Sequence, residues 1–193
     1  VDPHLYKASP GDVKLLESAD LILYNGLHLE GKLADVLEKL SKTKPVVAVA
    51  DAIDPSLLRR PPEFEGNPDP HVWFDVSLWV KAAERIRESI NALDTTSTRI
   101  DAAVSDEYLA QMRSAHEFCA RKISTIPAER RVLVTAHDAF GYFGRAFGIE
   151  VRGVQGISTE SEAGLRQINA LVDFVVARGV HAVFVESSVP QKT

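Results

Sequence analysis

Two of the six histidines in this 193-residue chain sit in the same tripeptide, Asp2-Pro3-His4 and Asp69-Pro70-His71. Proline fixes its own φ and biases its predecessor away from helix, so each tripeptide presents one imidazole from a stiff, extended or turning segment. A third imidazole, His137, directly follows the apolar run Arg131-Val132-Leu133-Val134-Thr135-Ala136. That puts it beyond the carboxyl end of a strand, where open parallel sheets hold their ligands. All three fall in loops, where functional residues concentrate, and a neutral imidazole is a good ligand for zinc and other borderline cations. On spacing alone a shared metal centre and three unrelated loop histidines both fit, because no local signature such as H-E-x-x-H is present.

The remaining histidines are weaker. His28, in Tyr-Asn-Gly-Leu-His-Leu-Glu, also follows an apolar run and is a fourth candidate, equally readable as a loop residue leading into a helix. His116 lies inside a long helical pattern and His181 enters an apolar run; at both, a solvated or locally hydrogen-bonded ring is expected. Cys119 is the one cysteine, so neither a disulfide nor a thiolate zinc site can be drawn within the chain. Its place on an apolar helical stripe suits a buried structural thiol.

Composition bounds what these residues serve. With 45% hydrophobic and 25% charged residues the chain can bury a sizeable core as one large or two small domains. A net charge of -5, with basic pairs scattered as at Arg59-Arg60 and Arg130-Arg131, argues against a nucleic-acid surface. No apolar run is long enough to span a bilayer, and no signal peptide precedes Val1, a property that a mature exported chain shares.

The elements that must position the histidines follow from period. ADLILYN and PVVAVAD read as buried strands, LEGKLADVLEKL and SLWVKAAERIRESI as helices, the latter with Val76, Val80, Ala83, Ile86, Ile90 and Leu93 on one face. From Ser97 to Thr125 there is neither Gly nor Pro, and Ile100, Val104, Tyr108, Met112, Ala115, Cys119 and Ile123 recur at helical spacing. One helix of roughly 40 Å fits this stretch, either as a core helix or as a bridge between two lobes. After Pro127 the rhythm restarts with strand RVLVTA, helix DAFGYFGRAF, strand IEVRGV, helix SEAGLRQINALVDFVVARG and strand HAVFVES. Strands alternating with helices imply parallel pairing in an α/β layer.

In combination, DPHLYKASPGDVKLLESADLILYNGLHLE, DPHVWFDV, RRVLVTAHDAFGYFGRAFGIEV, GISTESEA and VFVESSVPQK resemble the solute-binding proteins of zinc and manganese ABC importers, the TroA-like or cluster A-I family, over the whole chain. The resemblance implies an α/β fold of two lobes, with parallel sheets flanked by helices, joined by one long rigid linker helix. Its parts are a metal-binding lobe at 1–96 lacking its first strand, a linker helix at 97–126, and an incomplete second lobe at 127–193. It also implies a metal in the cleft, held by His4 and His71 from the first lobe and His137 from the second. The family's fourth ligand is a carboxylate expected beyond Thr193, so the chain reads as a fragment at both ends. Glu186 and Asp138 do not match the fourth-ligand motif, and Asp138 is expected at a helix N-terminus or behind the ligands.

Three histidines and a carboxylate lean toward zinc, with manganese as the alternative. In the family, members with histidine where His137 stands resemble zinc or mixed binders, and the loop before His71 lacks the histidine-rich insertion of many dedicated zinc binders. The implied protein is no enzyme. It captures the metal outside the cytoplasm, in the periplasm or anchored to the outer face of the cell membrane, and hands it to the membrane permease of an ABC importer. The rival is a zinc-dependent hydrolase with a three-histidine open site, against which stands the lack of an evident general base beside the histidines.

Overall fold

A computed structural model describes residues 2–93, 101–160 and 163–187. The expected start of the linker helix at 97–100, the residues 161–162 at the head of the last helix, and the end of VFVESSVPQK lie outside them.

The chain folds as two α/β lobes. In the first, helix α1 (Pro10–Ser18) starts on a capping box in which Ser9 and Asp12 each satisfy the other's backbone N–H, with Pro10 in the first turn. Strands β1 (Ile22–Tyr24) and β2 (Val46–Ala48) pair in parallel, Ile22 opposite Val46, with helix α2 (Ala34–Ser41) in the connection. Parallel neighbours require such a crossover. The strand expected through Asp51 stops early: Val49–Ala52 winds into a 3-10 turn whose Val49 and Ala50 are buried. That turn packs on helix α3 (Val76–Asn91), whose first turn is capped by the Asp75 carboxylate accepting from Ser77 N–H.

The long helix is present as α4 (Ala102–Ser124), 23 residues capped by Asp101, or roughly 35 Å. Its expected apolar stripe needs correction. Val104 is 63% and Tyr108 57% exposed, and the less exposed positions are instead Ser105, Leu109, Met112, His116, Cys119 and Ile123. A stripe counted from Ile100 runs one residue out of phase with Leu109, the buried anchor, and rejoins the true face at Met112, Cys119 and Ile123. Cys119 is accordingly half-buried, not sealed in a core.

In the second lobe, β3 (Val132–His137) and β4 (Glu150–Gln155) pair in parallel from Val132 opposite Glu150 to His137 opposite Gln155. Helix α5 (Gly141–Phe147) connects them, and α6 (Leu165–Arg178) follows, stopped as expected by Gly179 in the left-handed region. The strand expected at HAVFVES is reduced to a single parallel bridge between Thr135 and Phe184. Val183, Phe184 and Val185 stay 49–68% exposed, so their apolar spacing reflects strand propensity without the burial that would complete a ladder.

Candidate metal centre

The two Asp-Pro-His tripeptides fold alike. In each, an aspartate oxygen accepts the backbone N–H of the histidine two residues on, Asp2 to His4 at 2.9 Å and Asp69 to His71 at 3.0 Å. This local turn, which Asp favours, fixes the backbone from which each imidazole projects. His137 arrives differently, as the last residue of β3.

These three rings converge. His4 Nε2 lies 3.2 Å and His137 Nε2 3.4 Å from His71 Nε2, and all three ligand nitrogens fall within 4.8 Å of one another. The three residues are 5%, 2% and 6% exposed, around a cavity of about 180 Å³. For a tetrahedral ion with nitrogens at about 2.0–2.1 Å, adjacent nitrogens stand roughly 3.3 Å apart, which the separations of 3.2 and 3.4 Å bracket.

Two of the rings are held from behind by carboxylates. Asp69 Oδ1 sits 2.8 Å from His71 Nδ1, and Glu186 Oε1 sits 2.6 Å from His137 Nδ1. A carboxylate at Nδ1 keeps the proton there and leaves Nε2 as a lone-pair donor. The two Nε2 lone pairs then face each other, an arrangement that repels unless a positive charge lies between them. Asp69 is itself anchored by the Arg59 guanidinium at 2.5 Å. His4 has a different environment: its pKa is pushed down from the usual 6.5 to about 4, mainly by burial and next by the neighbouring His71, with Asp2 pulling the other way and His137 adding to the depression. A neutral, metal-ready imidazole is favoured there.

The walls are aromatic. Trp73 meets His71 edge-on at 5.2 Å between centroids, and Phe74 of the first lobe packs on Phe140 of the second at 4.3 Å. Below them Tyr142, fully buried, joins Ala50, Ile53, Val72 and Leu78 in the core. Its hydroxyl accepts from Arg59 N–H at 3.0 Å and donates to the Asp69 carbonyl at 2.9 Å. Gly141 lets the Arg59 guanidinium pass, since a Cβ there would fall 1.3 Å from Nη1. Gly144 permits close approach of the backbone just ahead of β4, since a Cβ there would fall 2.6 Å from the Ile149 carbonyl oxygen.

Other expectations place differently. His28 is exposed, in the left-handed region, beside an open cleft between α2 and the first sheet. His181 is exposed. His116, expected to be solvated or locally hydrogen-bonded, is half-buried against the Phe147 ring at 4.9 Å, and its buried Nδ1 has no hydrogen-bond partner among the described residues. Asp138 does not cap α5, whose N-cap is Phe140; it is half-buried within electrostatic reach of Arg59, Asp69 and His71, and no hydrogen bond links its side chain to a ligand histidine among the described residues. Helix α5 begins three residues later, and Asp138 Oδ1 has no partner among the described residues. Burial pushes its carboxyl up. Sequence reasoning missed Asp69 and Tyr142; the repeated Asp of Asp-Pro-His was a usable signal for the first, and nothing local pointed to the second.

A profile of the zinc-uptake complex component A (ZnuA) periplasmic family matches residues 1–193. The chain is 49% identical over 192 residues to the zinc-binding protein TroA of Treponema pallidum, spanning 100% of this chain and 62% of that one. It is 46% identical over 194 residues to the manganese-binding lipoprotein MntA of Bacillus subtilis, again over 100% of this chain and 63% of the relative. The chain thus spans less than two thirds of the length of these two curated relatives. Among solved structures, the periplasmic zinc-binding protein TroA from Treponema pallidum superposes with a TM-score of 0.94 at 48% identity, covering 100% of this chain and 69% of that one.

Proposed function

The chain belongs to the ZnuA family of periplasmic zinc-uptake components, and we propose that it captures a divalent transition metal between its lobes for delivery to the membrane permease of an ABC importer. The lobes are residues 1–96 and 127–193, the linker 97–126, and the ligands His4, His71 and His137. Capture takes place outside the cytoplasm, in the periplasm or at the outer face of the cell membrane. The observation that carries this reading is the convergence of three buried imidazole nitrogens at spacings a first-row cation spans, two of them backed by carboxylates.

Zinc is the first cargo, because a neutral imidazole shell suits a borderline cation better than manganese, which prefers harder oxygen donors. The names of the two relatives, one zinc-binding and one manganese-binding, support keeping manganese as the alternative. The hydrolase reading is set aside, since the family is one of zinc-uptake components and these relatives are named as metal-binding proteins. The test is calorimetric titration of zinc and of manganese into the metal-free chain, with metal content by plasma mass spectrometry. One equivalent of zinc, bound more tightly than manganese, is expected; no uptake of either ion refutes the proposal.

A further inference from the structure

The cleft is fastened in two unlike ways. At its floor the lobes share a core: Tyr142 is fully buried and hydrogen-bonded to both Arg59 and Asp69, and Phe140 packs on Phe74. At its rim the lobes are joined by polar contacts. Thr159 Oγ1 donates to Asp2 Oδ2 at 2.5 Å, and Lys32 pairs with Glu160, side chains 41% and 46% exposed. Asp2 and Thr159 also line the cavity that holds the three imidazoles.

Asp2 ties the rim to the ligands. Its Oδ1 accepts the His4 backbone N–H while its Oδ2 accepts from Thr159 across the cleft. The equivalent oxygen of Asp69 instead meets Arg59 inside the first lobe. The Asp69 carboxylate therefore closes on its own lobe, and the Asp2 carboxylate closes on the opposite lobe. Opening the floor would expose a buried aromatic core, whereas opening the rim exchanges one hydrogen bond and one solvent-exposed ion pair for contacts with water.

Building on the metal-capture reading above, we propose that Asp2–Thr159 and Lys32–Glu160 form a latch across the cleft rim that sets the rate of metal release. Parting the latch frees the turn that carries His4, so His4 is the first ligand to leave. His71 and His137 stay fixed by Asp69 and Glu186. Asp2, Thr159, Lys32 and Glu160 are positioning residues that act through the closed state of the rim.

The experiment loads the chain with zinc and follows its transfer to excess 4-(2-pyridylazo)resorcinol by stopped-flow absorbance. Thr159→Val, which removes the donor but keeps the shape, is expected to release zinc roughly three- to tenfold faster, the worth of one hydrogen bond. Thr159→Ser, which restores the hydroxyl, stays near the unaltered rate. Lys32→Glu and Glu160→Lys each accelerate release about two- to threefold, as an exposed pair turned repulsive, and combining them brings the rate back. A double reversal no slower than the singles, or Thr159→Val releasing at the unaltered rate, overturns the latch alone. An unaltered chain that takes up no zinc overturns the metal-capture reading and the latch together.

Discussion

Each candidate ligand has its own support, and substitutions should separate them. Replacing His4, His71 or His137 by alanine removes one of the three nitrogens that converge in the cavity, so zinc affinity should fall more than about a hundredfold, beyond the effect usual for an outer carboxylate. His116→Ala and His181→Ala, away from the cluster, should leave affinity unchanged in the same titration. Asp69→Asn and Glu186→Gln keep shape but weaken the hold on Nδ1, and about a tenfold to hundredfold loss is expected for each. Acid acts on a different schedule at His4. Its folded-state pKa lies near 4, below the usual 6.5, so between those values the unfolded chain binds the proton that the folded site refuses. In the metal-free protein this contribution is neutral above about pH 6.5, and stability is lost as pH falls toward 4. Proton NMR titration of the His4 ring should give a midpoint well below 6; a midpoint at 6.5 would remove the buried, neutral imidazole from the description.

The helices and strands that deliver these residues were legible where period and punctuation agreed. α6 stopping at Gly179 and the long helix without Gly or Pro follow directly from the sequence pattern, while β3 runs one residue past the expected RVLVTA and takes in His137, which was expected in the loop beyond it. Less legible were features set by partners distant in sequence: the phase of α4, fixed by Leu109 against its neighbours; the missing ladder at His181–Ser187; and the interlobe floor built by Tyr142, 83 residues from Arg59. Likewise, three histidines up to 133 residues apart carry no local spacing signal, so the motif resemblance rather than periodicity brought them together. The floor invites a test of its own. Burial pushes the Tyr142 phenol up to about 12, so it remains a donor at any working pH. Tyr142→Phe leaves the Arg59 N–H and the Asp69 carbonyl without that partner and should cost about 1–3 kcal/mol in denaturant unfolding. Gly141→Ala should also weaken zinc binding, because Arg59 must move from the position where it anchors Asp69. Gly156→Ala, where a Cβ meets nothing within 4 Å, is the matching control.

At the scale of the whole molecule, the floor and the linker limit how far the lobes can part. α4 runs 23 residues without a Gly or Pro to kink it, and the core cluster draws Ala50, Ile53, Val72 and Leu78 of the first lobe against Tyr142 of the second. Wide hinge closure, as in binding proteins whose lobes are joined by flexible segments, would tear that cluster and expose it to water. Release through the rim needs only a local separation of Asp2 from Thr159 and of Lys32 from Glu160. Solution scattering of the chain with and without zinc should therefore show nearly the same radius of gyration, while the fluorescence of Trp73, edge-on to His71, responds to loading. Substituting Phe for Trp79 leaves Trp73 as the one tryptophan and assigns the signal. A large compaction on adding zinc would show that the floor opens in the metal-free state, and would move the hinge from the rim into the Tyr142 cluster.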